Sequence, residues 1–156
     1  MDSVVPMIDL KTRIQDSMKL AMKSQSKDRL GAIRLMLSEI KQKEVDDRIQ
    51  LSDEQIIEIL TKMVKRRKDA IIQFQLASRE DLVNKENFEI AVINEFLPKK
   101  LSHDAIQQLI EQAILANSAS SIRDMAKVMQ DLRKSLAGAA DLEEVGKIVK
   151  DRLLKV

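Results

Sequence analysis

From Asp53 to Ala77 the chain runs without a glycine or proline, while apolar residues return every three or four positions. Ile56, Leu60, Met63, Ala70, Phe74 and Ala77 make one seam, and Ile57, Val64 and Ile71 lie seven apart beside it. Residues spaced in this way share one face of a helix and would scatter over both faces of a strand. A helix of this length cannot bury such a seam by itself, so it demands long antiparallel partners.

The remainder of the chain keeps the same period. A first helix is expected over Ile8 to Lys23 on Leu10, Ile14, Met18, Ala21 and Met22, and a second over Lys27 to Glu44 on Leu30, Ile33, Leu37 and Ile40. Ser52 and Gln55 read as a capping box opening the third, because each side chain can serve the other's backbone N–H. A fourth runs from Asp81 to Glu95 and must stop before Pro98, which lacks an N–H and biases Leu97 away from helical geometry. Beyond it, Ser102 caps a helix carrying Ile106, Leu109, Ile110, Ala113 and Ile114. Ser121 opens another, with Ile122, Met125, Met129, Leu132 and Leu136 inward and Gly138 past its end. Asp141 opens a last one bearing Leu142, Val145, Val149 and Leu153.

With three Gly, two Pro and no aromatics beyond Phe74, Phe88 and Phe96, nothing favours strands or their turns. The expected fold is all-α: an N-terminal long-helix hairpin bundle over residues 1–95, followed by a small three-helix C-terminal domain over residues 96–156.

The same residues exclude most chemistry. There is no Cys, hence no disulfide, thiolate metal site or cysteine nucleophile. The one histidine, His103, adjoins Ser102 in a first helical turn, where neighbouring positions do not face each other, so it reads as an exposed residue. No phosphate loop, dinucleotide turn or calcium loop occurs. No catalytic set, metal site, cofactor or small-molecule substrate is expected, and a stand-alone enzyme is disfavoured. The segment Met1 to Leu10 carries Asp2 and Asp9 and lacks the apolar run of a secretory leader, and no stretch reaches the roughly 20 apolar residues of a membrane span. The expected location is cytosolic.

Charge is informative only locally. Residues 1–95 hold 17 basic and 17 acidic side chains, whereas residues 96–156 hold 10 and 8. Lys62, Lys65, Arg66, Arg67 and Lys68 crowd the third helix, but Arg67 falls on its apolar seam between Met63 and Ala70. A cation placed inward needs a carboxylate, and Glu39, Glu86 and Glu89 are the candidates. In the C-terminal part, Arg123, Lys127 and Lys134 form a polar stripe opposite Met125, Met129 and Leu132, with Gln130 between them. Lys147 and Lys150 give the last helix a similar pair. Such a stripe attracts a phosphate backbone by counterion release. The part beyond Phe96 has no aromatic residue to stack on an unpaired base, which points to a folded RNA read by shape.

Ala21-Met22-Lys23, Asp28-Arg29-Leu30 with Arg34, Val64 through Ala70, Arg79 through Asp81-Leu82-Val83, Phe96-Leu97-Pro98 before Leu101-Ser102, and Met125 through Met129 followed by Gly138 and Asp141 together resemble the YqeY family from about Ile8 to Leu154. The resemblance implies a two-part helical fold whose C-terminal unit is similar to the tail domain of the GatB subunit of tRNA-dependent amidotransferase. That tail recognises the tRNA body, while glutaminase and kinase chemistry sit elsewhere. The implied partners are tRNA or the amidotransferase, and the positions that carry over are Lys127, Gly138 and Asp141. Ala126 departs from the pattern, because the family and the tail usually place Gly there; alanine weakens the case for close backbone approach to RNA. The competing expectation is a protein-interaction module without nucleic acid, motivated by the additional row of Ile57, Val64 and Ile71.

Overall fold

The computed structural model describes residues 9–155. Ile8 and most of the Met1–Leu10 segment discussed above lie outside the described residues. Among those described there are seven α-helices, one 3-10 turn and no strand. The chain divides into two compact units, Met1–Leu97 and Pro98–Val156. Phe96 buries into the core of the first unit at 6% exposure, so it belongs there rather than to the second part.

The first unit holds α1 (Leu10–Lys23), α2 (Lys27–Asp47), α3 (Asp53–Leu76) and α4 (Glu80–Asn94). Their starts follow cap chemistry. The Asp9 carboxylate accepts from the Thr12 N–H at 2.7 Å. Ser52 and Gln55 form the expected capping box, Gln55 Oε1 accepting from the Ser52 N–H at 2.9 Å and Ser52 Oγ from the Gln55 N–H at 3.3 Å. Such a cap contributes about 1 kcal/mol. The ends are less conventional. Gln25, Arg48 and Ser78 adopt left-handed φ of 54–56°, a conformation ordinarily left to glycine. A chain this poor in glycine turns its corners at that expense. α2 also continues three residues beyond Glu44, where the polar composition predicts a turn, and the left-handed Arg48 stops it.

α3 packs most extensively on α4, and α1 on α2, with α2 also meeting α4. Ile14, Ile33, Met36, Ile40, Ile56, Leu60 and Ile93 are fully enclosed. The row Ile57, Val64, Ile71 is not surplus: Val64 is buried, and Ile57 and Ile71 pack against the same core. Ala77, expected on the seam, is instead the exposed C-cap. Arg67 does point inward and is met by Glu86 at 3.0 Å and by Glu89, both from α4. Glu39 pairs with the neighbouring Arg66 instead, both carboxylate oxygens lying 2.7 Å from Nη2.

The second unit contains α5 (His103–Ala116), the 3-10 turn Ile122–Asp124, α6 (Met125–Leu136) and α7 (Leu142–Leu154). Its own core is built from Ile110, Ile114, Val128, Leu132, Leu136, Val145, Val149 and Leu153. Ser102 caps α5, Asp141 caps α7, and Gly138 takes a φ of 74° in the connection after α6. The Leu101 N–H donates to the Ala139 carbonyl at 3.0 Å and ties the entry of α5 to the α6–α7 connection. Ser121 opens a tight 3-10 turn rather than α6 itself, and this leaves Ile122, expected inward, 40% exposed.

Candidate nucleic-acid interface

α6 is amphipathic because its apolar positions follow 128, 132 and 136, each 40° further around the helix. Val128, Leu132 and Leu136 are accordingly buried. Lys127 and Lys134, seven residues apart, fall on the opposite side, and both are exposed. Arg123 is exposed as well, but it projects from the 3-10 turn, so it extends the line from a different backbone geometry instead of continuing the helix. On α7, Val145, Val149 and Leu153 face the core while Lys147 and Lys150 are exposed.

α6 and α7 pack directly on each other. The approach is marked by Met129, whose Cε lies 3.8 Å from where a Cβ on Gly146 would stand. Arg133 lies one turn along α6 from Met129, and Lys150 one turn along α7 from Gly146. Each therefore stands on the edge its helix turns toward the other. Arg133 is exposed and has no place in the stripe read from spacing, since it is 100° from Lys134. Lys127 and Lys134 lie about 160° and about 140° around α6 from Met129, so the stripe turns away from α7 while Arg133 and Lys150 share the α6–α7 edge.

Several carboxylates of this unit have hydrogen-bond partners within the fold. Asp124 accepts from the backbone N–H groups of Ser120 at 2.9 Å and Ser121 at 3.3 Å. These bonds, and then the Lys127 ammonium, hold its carboxyl below the ordinary carboxylate value. Asp131 accepts from Asn117 at 2.7 Å, Asp141 from the Glu143 N–H at 2.9 Å, and Glu111 from Arg152 at 2.7 Å. By contrast, Arg123, Lys127, Arg133, Lys134, Lys147 and Lys150 form no ion pair among the described residues. These hydrogen bonds orient the carboxylates without discharging them, so what distinguishes the six cations is their exposure and lack of ion pairs, not a net positive field.

Other concavities carry less chemistry. An open groove of about 800 Å³ lies between α2 and α3. Its cations are largely answered within the fold, Arg66 by Glu39, Lys62 by Glu58 at 3.7 Å and Lys43 by Asp47 at 2.9 Å. His103 is exposed and approaches only Gln107, at 3.5 Å. No group of three or more His, Cys, Asp or Glu among the described residues could hold a metal ion, and no helix there is long and apolar enough to cross a membrane.

Two helical units, the second with exposed cations on adjoining helices, define a class of helical protein whose features lie on surfaces rather than in a cavity. The chain belongs to the YqeY family: the family's model, described as Yqey-like protein, matches residues 11–153. It is 34% identical over 101 residues to an uncharacterized protein of Schizosaccharomyces pombe, covering 65% of this chain and 80% of that one. It is 36% identical over 90 residues to altered inheritance of mitochondria protein 41, mitochondrial, of Kluyveromyces lactis, covering 57% of this chain and 49% of the relative. With the protein of that name in Pyrenophora tritici-repentis it shares 28% identity over 142 residues, 89% of this chain and 78% of the relative. Against the Kluyveromyces lactis protein, the chain thus spans about half the relative's length.

The cytosolic expectation does not stand against these relatives, several of which are named as mitochondrial proteins. Acidic residues near Met1 argue only against a secretory leader, and compartment is not encoded in a helical core.

Proposed function

We propose that the C-terminal unit is a recognition module for folded RNA of the tRNA class, and that the protein serves tRNA-dependent amidotransferase chemistry as a non-catalytic accessory. On this reading the N-terminal unit is a long-helix hairpin bundle that carries the module. The observation supporting it is the set of exposed, unpaired cations Arg123, Lys127, Lys134, Lys147 and Lys150 on adjoining elements. Lysine and arginine in such a set neutralise phosphates without reading bases, and the absence of Trp and Tyr and the lack of Phe beyond Phe96 suit a paired RNA better than a single strand. Arg133 joins the set as the residue that spacing alone does not identify.

Filter binding of the purified protein to bulk tRNA over a salt series tests this. Affinity should fall as salt rises, with a log–log slope of about −0.9 for each phosphate neutralised on duplex. The double variant Lys127→Glu, Lys134→Glu should weaken binding at least tenfold, an estimate of roughly 0.7 kcal/mol or more per lost phosphate contact, and flatten the slope by about two. No binding at low salt, or an unchanged slope in the variant, refutes the assignment.

A further inference from the structure

Gly31 sits in the second turn of α2, exposed, and a Cβ built there would meet nothing within 4 Å. A glycine inside a helix is costly relative to alanine, and nothing within this fold requires one at that place. The position begins a line. Leu35, Ser38, Gln42 and Val45 follow it at steps of four, three, four and three, all exposed and none charged. Leu35 is 47% and Val45 63% accessible. Of the residues that α2 commits to its own core, Ile33, Met36 and Ile40 belong to another face, while the buried Ala32 borders this one, in the column that Glu39 and Asp46 continue. α2 therefore bears two seams, one inside the unit and one in solvent.

Alternating steps of three and four are the spacing by which two helices interlock along a shared line. In that frame Leu35 and Gln42 take the a positions, and Gly31, Ser38 and Val45 the d positions. The flanks are sorted by sign. Arg34 and Lys41 occupy g, and Glu39 and Asp46 occupy e. Neither Arg34 nor Lys41 has an ion-pair partner among the described residues. Glu39 is bound to Arg66 but remains 39% exposed, and Asp46 accepts only from Gln42 at 2.9 Å. A parallel pair sets each g residue against the e residue five positions later on the other helix. That rule joins Arg34 to Glu39 of the second copy and Lys41 to Asp46 of the second copy, each pair opposite in sign and repeated twice by symmetry. An antiparallel pair would set basic flank against basic flank and acidic against acidic.

We propose that the outer face of α2 is a self-association surface on which two copies of this chain pair in parallel. Gly31 and Ser38, seven residues apart, let the two backbones approach closely, and Leu35 and Val45 supply the apolar contacts. The seam is short and only partly apolar, so the dimer is weak and forms at high local concentration. This assignment does not depend on the RNA reading, because it uses the first unit alone: Ser38, Glu39, Gln42 and Asp46 line the groove between α2 and α3, so the second copy lies along α2 on the side of that groove.

Sedimentation equilibrium of the full chain from about 10 to about 500 μM, without nucleic acid, tests it. The natural sequence should show a reversible monomer–dimer equilibrium. Lys41→Glu and Asp46→Lys, each creating two like-charge contacts, should each raise the dimer dissociation constant about tenfold. The combined exchange Lys41→Glu, Asp46→Lys should return it to within about twofold of the natural value. The chain has no cysteine, so Val45→Cys introduces the only thiol. Mild oxidation should then link two copies, because parallel pairing brings the two 45 positions together. All substituted positions are exposed, and circular dichroism of each variant separates lost pairing from lost folding. A strict monomer throughout, single exchanges without effect, additive loss in the combined exchange, or a dimer that Val45→Cys cannot link each overturns the proposal. The strict monomer would leave the seam to a helix of another protein.

Discussion

Single side chains decide more here than composition suggests. Arg67 is held by Glu86 and Glu89 with little exposure on any of the three, and its Nε is buried with no hydrogen-bond partner. Removing the cation would leave two carboxylates facing each other in a poorly solvated site. Arg67→Ala should therefore cost about 3–5 kcal/mol in denaturant unfolding, more than losing its packing alone. Replacing all three by apolar residues of similar size should recover most of that loss, because the charges themselves contribute little net stability. Glu44 acts in the opposite regime. Its carboxylate accepts from Lys11 of α1 at 2.7 Å and from the Leu51 N–H at 3.1 Å, linking α1, α2 and the approach to α3. The Lys11 hydrogen bond, and then that of Leu51, hold its carboxyl below the ordinary value of 4.5. A carboxyl so lowered stabilises the fold at all pH values above the ordinary one. That stabilisation drains as pH falls through the lowered value. Glu44→Gln should accordingly destabilise by about 1 kcal/mol at neutral pH. The gap between the two proteins in urea unfolding should close on acidification.

At the scale of the elements, the helices begin where side-chain oxygens can cap them and end where the backbone is forced to turn. The starts at Ser52, Ser102 and Asp141 are legible because cap chemistry is local and uses specific residue types. The ends at Gln25, Arg48, Ser78 and Ser118 are not, since each takes a left-handed φ without glycine. Their conformation is imposed by the packing of the helices they join. Arg48→Gly should thus raise stability by about 1 kcal/mol. Gly146→Ala should do so by a similar or smaller amount, because the added methyl would meet Met129 Cε at an ordinary 3.8 Å and glycine is a poor helix former. Thermal melts of both variants check these values, and a loss of stability on Gly146→Ala would show that α6 and α7 approach more closely. The 3-10 turn before α6 has the same character: Ser121 signals a start, but only the fold decides that Arg123 and Ile122 precede the helix. The faces of Lys127 and Lys134 are legible from helical spacing, whereas the place of Arg133, outside that stripe and on the edge toward α7, depends on where α7 lies.

Across the whole molecule, each unit closes its own core, the first around Ile33, Met36, Leu60 and Ile93 and the second around Ile110, Leu132, Leu136 and Val149. Residues 98–156 expressed alone should retain a helical spectrum and a cooperative transition, though a marginal one for so short a chain. A fragment without cooperative unfolding would show that this core is not sufficient. The sequence by itself determined the helical class, most helix positions, the inward Arg67 and the faces on which Lys127, Lys134, Lys147 and Lys150 lie, because helical periodicity and capping are properties of neighbouring residues. Only the tertiary structure decided which carboxylates answer Arg67, how Glu39 is divided between core and surface, and that the Ile57–Ile71 row is consumed internally while the Gly31–Val45 line stays in solvent. Those outcomes depend on which helices meet, and that is settled by packing between residues far apart in the chain.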